Sequence, residues 1–229
     1  MKKLTVSMTR TETVFGLFYI GIQILVLPYL LVFGNQIFGN PLSKVQLNFL
    51  FFAIDFICIV TIFRGFLKKC AICGLEHPWR LLRYAGCGLL LYWAGSILVN
   101  VVILNVYPDF SNVNDQSILE LTKENYLLMS IGTVLLVPVV EETLHRGVIF
   151  GTLYRVNPLV GYLVSTLIFS ALHVINYINA FSPLHLFLCF LQYIPAGLCL
   201  AWAYVKADSI WAPILIHIAI NQLGVLAMR

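Results

Sequence analysis

The sequence predicts an all-α protein, a polytopic bundle of about seven membrane-spanning helices. Two observations carry this. Of 229 residues, 60% are hydrophobic and 10% charged, with a mean hydropathy of +0.91, far from the composition of a soluble domain. Apolar runs of about 20 residues, the length that crosses a hydrocarbon core of ~30 Å, recur near 14–33, 46–63, 84–105, 127–153, 159–176, 185–204 and 209–227.

Lys2 and Lys3 precede the first run in the manner of a signal peptide. The run is too long for such a segment, carries Pro28 and lacks a small-x-small cleavage site, so it reads as a retained first helix. The second run holds Asp55, an acid costly to bury alone, which predicts a hydrogen bond to backbone or to a hydroxyl. Residues 64–83 are basic, with aromatic and aliphatic residues interspersed, and are expected to be partly helical at the inner surface. The third run leads into an acidic connection, 106–125, containing Pro108, Asp109, Asp115, Glu120 and Glu124. Four further runs complete the chain, and His185, after Pro183 at the start of the sixth, is expected at the interface. The natural division is 1–125, three helices with a basic loop, and 126–229, the remaining four.

Basic loops resist translocation, so lysine and arginine report orientation. With the N-terminus cytoplasmic, the inner segments hold Lys2, Lys3, Arg10, Arg64, Lys68, Lys69, Arg80, Arg83, Arg155 and Lys206, and the outer ones only Lys44, Lys123 and Arg229. The expectation is a multi-pass protein of the cell membrane with its C-terminus outside. The net charge of +4 is a topology signal and does not point to nucleic acid.

Cys58, Cys70, Cys73, Cys87, Cys189 and Cys199 are scattered, four of them in apolar runs where cysteine acts as a small hydrophobe. Only Cys70 and Cys73 have metal-like spacing, with His77 as the one nearby partner. A half-site is weak evidence for zinc.

An ionisable group at mid-bilayer costs about 2.5–3.5 kcal/mol even on a gentle scale and so faces protein or water, usually with a role. The fourth run contains Glu141, Glu142, His145 and Arg146. Residues four apart share a helix face, which sets Glu142 over Arg146 and Glu141 over His145. Arg146 can grip Glu142 with two donors and fix it, leaving Glu141 as the candidate general base. Pro138 breaks the backbone bond to residue 134 and can kink the helix, while Gly147 and Gly151 allow a neighbouring helix to approach closely. The fifth run adds Phe169 and His173, and the last adds His217 and Asn221, one turn apart on one face. Convergence of three helices on one pocket is expected. Two chemistries are open: a divalent ion polarising water, or water activated by Glu141 and His173 with His217 and Asn221 donating to the oxyanion. No serine or cysteine is arranged as a covalent nucleophile.

Glu141-Glu142-x-x-x-Arg146, Phe169-x-x-x-His173 and His217-x-x-x-Asn221, in order on successive hydrophobic segments, resemble the CPBP family of intramembrane proteases, also called the CAAX protease and bacteriocin-processing or Abi family. The resemblance covers roughly residues 125–225. It implies a four-helix catalytic core in the C-terminal half and a glutamate-type endopeptidase. In that scheme Glu141 acts as base with His173, Arg146 orients Glu142, and His217 with Asn221 completes the pocket. It implies no cofactor; were a divalent metal such as zinc required, Glu141, His173 and His217 would be its ligands. The implied partners are membrane lipid and a hydrophobic or lipid-linked peptide. The short loops look bacterial, which leaves a peptide precursor, a pheromone leader or a membrane-bound regulator open as substrate. A bacteriocin-immunity or binding protein on the same scaffold is the alternative. A proton- or ion-coupled transporter is another, though no inverted repeat is visible.

Overall fold

The computed structural model describes residues 4–228, so Lys2, Lys3 and Arg229 lie outside the described residues. The chain forms α1 (Arg10–Leu25), α2 (Leu27–Ile37), α3 (Lys44–Ile62), α4 (Arg64–Glu76), α5 (Pro78–Val106), α6 (Val113–Glu124), α7 (Tyr126–Val156), α8 (Pro158–Leu172), α9 (Pro183–Ala207) and α10 (Trp211–Ala227). No strand occurs among the described residues.

Local chemistry sets the boundaries. Thr9 with Glu12, and Ser43 with Gln46, form capping boxes that start α1 and α3, each pair satisfying two backbone donors that a helix end leaves open. Asn157 and Ser182 cap α8 and α9, each followed by a proline in the first turn, where a missing N–H costs no bond.

α3, α5, α7, α8 with the turn after it, and α9 are long and apolar enough to cross a membrane. The expected first span proves to be two helices, α1 and α2, bent by 41°, with Pro28 in the first turn of the second. α10, with 17 residues, sits at the short limit of about 17 for a spanning helix. The protein is thus a multi-pass membrane bundle. The basic connection is helical as expected, forming α4, and the acidic connection contains α6.

α7 and α9 are central. Of their most apolar windows 56% and 50% lie inside protein, against 17% and 11% for α3 and α5, whose surfaces are left for lipid. One core joins Tyr19, Ile59, Phe63 and Phe66 from the first half to Val140, Leu144, Val148 and Phe150 of α7. α1 reaches α7 at Gly16, where an added Cβ would stand 2.4 Å from a Val148 methyl. Asp55 accepts hydrogen bonds from the Tyr19 hydroxyl and the Gln23 amide, both at 2.5 Å, so the hydroxyl partner expected from sequence is present and ties α3 to α1.

Before α1, the chain crosses one end of the bundle. Thr5 bonds through its N–H (2.8 Å) and its hydroxyl to the carboxylate of Asp208, the left-handed residue, φ 62°, that ends α9. Arg155 donates to Ser7 and to the Met8 carbonyl. Met8 is buried against Gly147 of α7, where an added Cβ would lie 2.5 Å from its methyl. Gly151 plays a different part from the one expected: its nearest non-local atom is the Arg146 carbonyl of its own helix, so it accommodates a wide turn of α7 and not a neighbour.

Candidate active site

α7 is not a regular α-helix. Residues Ile131–Leu136 and Thr143–Phe150 wind in the wider π register, in which each N–H reaches five residues back. The N–H of Val137 accordingly donates to the Gly132 carbonyl. The next donor in that register is residue 138, a proline with no N–H. This leaves the Thr133 carbonyl, one residue earlier than an α register implies, without its helical partner. The side-chain amide of Asn221 on α10 fills that place, Nδ2 donating to the Thr133 carbonyl at 2.8 Å. α7 and α10 are thereby pinned beside the two glutamates.

Glu142 and Arg146 are wholly buried. Arg146 Nε lies 3.2 Å from Glu142 Oε2, the pairing expected from their spacing. The other carboxylate oxygen accepts from His217 Nδ1 at 2.9 Å. The guanidinium sits over the Phe169 ring, 4.2 Å from its centroid, and Nη2 donates to the Ala196 carbonyl at 3.5 Å. Three helices thus clamp Glu142 through one arginine, one histidine and one aromatic face.

Glu141 is placed differently. Its side chain keeps 25% of its surface exposed, and that of His173 16%; both line a cavity of about 940 Å³ with His145, His217 and Asn221. His173 Nδ1 donates to the Phe169 carbonyl at 2.8 Å. A carbonyl can only accept, so the neutral ring presents an unprotonated Nε2, 3.9 Å from Glu141 Oε2. The Tyr193 ring stacks on His173 with centroids 4.1 Å apart.

The sequence-predicted residues therefore come together as two linked groups, Glu141 with His173 and Glu142 with Arg146 and His217, while Asn221 binds α7 backbone. His145, expected alongside Glu141, packs edge-on to Phe169 at 5.3 Å, and its Nδ1 makes no hydrogen bond. His185 is exposed, bonded to the Ser111 carbonyl and stacked on Phe181. Cys70 and Cys73 are free thiols, and Cys70 is buried, its carbonyl accepting from Ser209. Among the described residues no three histidine, cysteine, aspartate or glutamate side chains are grouped as metal ligands.

Sequence reasoning missed Thr133, Tyr193 and Asp115 on the cavity wall. For Tyr193 a signal existed, since Gln192 and Tyr193 interrupt an apolar run. For Thr133 none did, because its part is played by a backbone carbonyl.

Residues 123–223 match a family described as "Type II CAAX prenyl endopeptidase Rce1-like", a stretch containing all six site residues. The chain is 30% identical over 114 residues to the Bacillus subtilis (strain 168) protein "Putative membrane peptidase YdiL". That match covers 49% of this chain and 42% of the relative, so this chain spans less than half of that protein. An Escherichia coli "Uncharacterized 24.3 kDa protein" is 25% identical over 192 residues, covering 78% of this chain and 81% of that one. No solved structure matches. The helices that build the site, residues 123–223, are thus the part of the chain that is similar to the Rce1-like family of type II CAAX prenyl endopeptidases.

Proposed function

We propose that this chain is a multi-pass membrane endopeptidase that hydrolyses a peptide bond in a hydrophobic or lipid-linked peptide. The observation that carries this reading is the pair of acceptors, Glu141 carboxylate and His173 Nε2, 3.9 Å apart on the wall of a large cavity. That gap exceeds a hydrogen bond and leaves the buried Glu141 Oε2 without a partner; in the proposed reaction one water enters between the two and donates a proton to each, its lone pair left for a substrate carbonyl. As the water oxygen bonds to the carbonyl carbon, Glu141 takes its proton and the carbonyl oxygen becomes an oxyanion. The C–N bond then breaks and Glu141 delivers the proton to the departing amine.

His217 is engaged by Glu142 at Nδ1, so Nε2 is the ring atom it has left for the cavity; protonated there, it donates to the oxyanion. One N–H of Asn221 holds Thr133, and its second N–H is the other available donor. Preorganised donors of this kind act where charge develops. Glu142 and Arg146 do not meet substrate; they orient His217 and seal the site. Among the described residues Glu141, His173 and His217 are not grouped as a ligand set, and no step is assigned to a metal. The positive-inside pattern supports a cell-membrane location with the N-terminus cytoplasmic.

The test compares peptide N-termini in membrane and secreted fractions of cells expressing either the unaltered protein or Glu141→Gln at matched levels. Termini that vanish with the variant establish proteolysis and name the substrate. Unchanged termini with a persisting peptide-sensitivity phenotype would instead establish a binding protein on this scaffold.

A further inference from the structure

His173 stands where α8 ends, so no further turn of its own helix braces the imidazole. One hydrogen bond, from Nδ1 to the Phe169 carbonyl at 2.8 Å, chooses the tautomer but leaves the ring able to swing about that bond. The Phe169 ring meets it at a tilt of 53°, whereas the Tyr193 ring of α9 lies flat against it, centroids 4.1 Å apart and planes within 28°. The flat contact fixes the plane of the imidazole. The aim of Nε2 at Glu141 is therefore only as firm as the hold on Tyr193.

That hold comes from outside α8 and α9. The Tyr193 hydroxyl lies 3.2 Å from Oδ1 of Asn112, a residue 8% exposed that caps the start of α6. The same oxygen accepts from the backbone N–H of Asn114 at 2.9 Å and of Asp115 at 3.3 Å. A backbone N–H can only donate, which settles how the Asn112 amide is turned. The hydroxyl must then donate to Oδ1, and Nδ2 is left to donate to Gln192 Oε1 at 2.7 Å. Gln192 in turn presents Nε2 to Asn100 Oδ1 of α5 at 2.5 Å. One self-consistent run of bonds thus joins α5, α6 and α9 and ends on the face of His173. Polar networks in a low-dielectric interior stiffen the groups they join. Asn100 and Asn112 precede residues 123–223, so this brace reaches the site from outside the stretch of family similarity.

We propose that Tyr193 and Asn112 are positioning residues for the reaction: Asn112 holds the Tyr193 ring, and that ring holds the His173 imidazole with Nε2 facing Glu141. The consequence for cleavage rests on the peptidase reading; the hold on His173 does not.

The test reads His173 directly. The full chain, isotope-labelled at its histidine ring nitrogens, is placed in lipid bilayers at a pH of about 8, above the ordinary histidine range, and those nitrogens are recorded by solid-state NMR. The chain has five histidines, and a His173→Gln variant identifies the signals of His173. The unaltered protein is expected to show one sharp pair, Nδ1 protonated and Nε2 bare. Tyr193→Leu, which removes the ring, and Asn112→Leu, which removes the brace, should broaden that pair and draw it toward the average of the two tautomers. Asn112→Asp keeps the acceptor and should restore the sharp pair, with Gln192 turned over to donate. The signals of His217, held by Glu142, should stay fixed throughout. A sharp His173 pair in both leucine variants overturns the proposal, as does an Asn112→Asp spectrum no better than that of Asn112→Leu. Equal disturbance of His217 also overturns it, because these residues would then support the whole bundle. Cleavage is read separately, on the substrate that the Glu141→Gln comparison identifies. Misplacing a group by about 1 Å costs up to about 100-fold in rate, so kcat should fall about 10- to 100-fold in both leucine variants and recover in Asn112→Asp. A disturbed His173 pair with no cleavage by the unaltered protein removes the peptidase reading and leaves the brace standing; cleavage with kcat unmoved in the leucine variants does the reverse.

Discussion

Glu141 and Glu142 are adjacent in sequence yet stand in opposite environments: Glu142 is wholly buried between Arg146 and His217, whereas Glu141 keeps a quarter of its side-chain surface open to the cavity and makes no ion pair closer than 3.9 Å. Adjacent helical residues point about 100° apart. Here that turn separates a residue free to exchange a proton with water from one locked into the packing.

Changing Glu141 to glutamine should therefore silence the chemistry with little effect on the fold. Loss of a general base lowers a rate by about 10²–10⁴-fold. Cleavage of an identified substrate should fall by that factor, while thermal unfolding of the purified variant in detergent stays close to that of the unaltered protein. A variant that unfolds far earlier would show that Glu141 holds structure as well.

Glu142→Gln should behave in the opposite sense. Glutamine keeps the volume but leaves the Arg146 charge buried without a counter-charge. Removing one partner of a buried pair costs about 3–5 kcal/mol. The expected result is a large drop in unfolding stability, with any loss of activity accompanied by loss of folded protein. Unfolding unchanged within about 1 kcal/mol would contradict the clamp described here.

Much of this was legible in the sequence because the physics is local. A 20-residue apolar run fixes a span, and four-residue spacing fixed the Glu142–Arg146 contact. The break between α1 and α2 was hidden because hydropathy is blind to direction, though Pro28 marked the place. The pairing of His217 with Glu142, and of Tyr193 with His173, joins helices far apart in sequence, and no periodicity within one helix reports it. His145 escapes the sequence in the same way, because the ring it packs against, Phe169, belongs to another helix.

Gly161 and Gly147, both close-packed, should differ when changed to alanine. At Gly161 an added Cβ would lie 2.9 Å from the Tyr154 backbone, which cannot move without shifting the α7–α8 corner. Overpacking of that kind costs about 1–3 kcal/mol. At Gly147 the nearest atom is the terminal methyl of Met8, the end of a flexible side chain. Unfolding measurements should therefore rank Gly161→Ala as clearly more damaging than Gly147→Ala.

Asn221 and Pro138 provide the sharpest test of how α7 is held. Asn221→Ala leaves the Thr133 carbonyl buried without a donor, a loss of about 1–3 kcal/mol. In a Pro138→Ala background residue 138 regains an N–H in the register that reaches Thr133, so the same Asn221→Ala change should cost much less. A double-mutant cycle on unfolding free energy should show coupling of about 0.5–3 kcal/mol; strict additivity would mean that the amide and the proline are unrelated. Activity of the double variant carries a further distinction. If cleavage returns when the restored N–H of residue 138 supplies the missing hydrogen bond, Asn221 serves by shaping the turn ahead of Glu141. If stability returns and cleavage does not, its second N–H also meets the oxyanion.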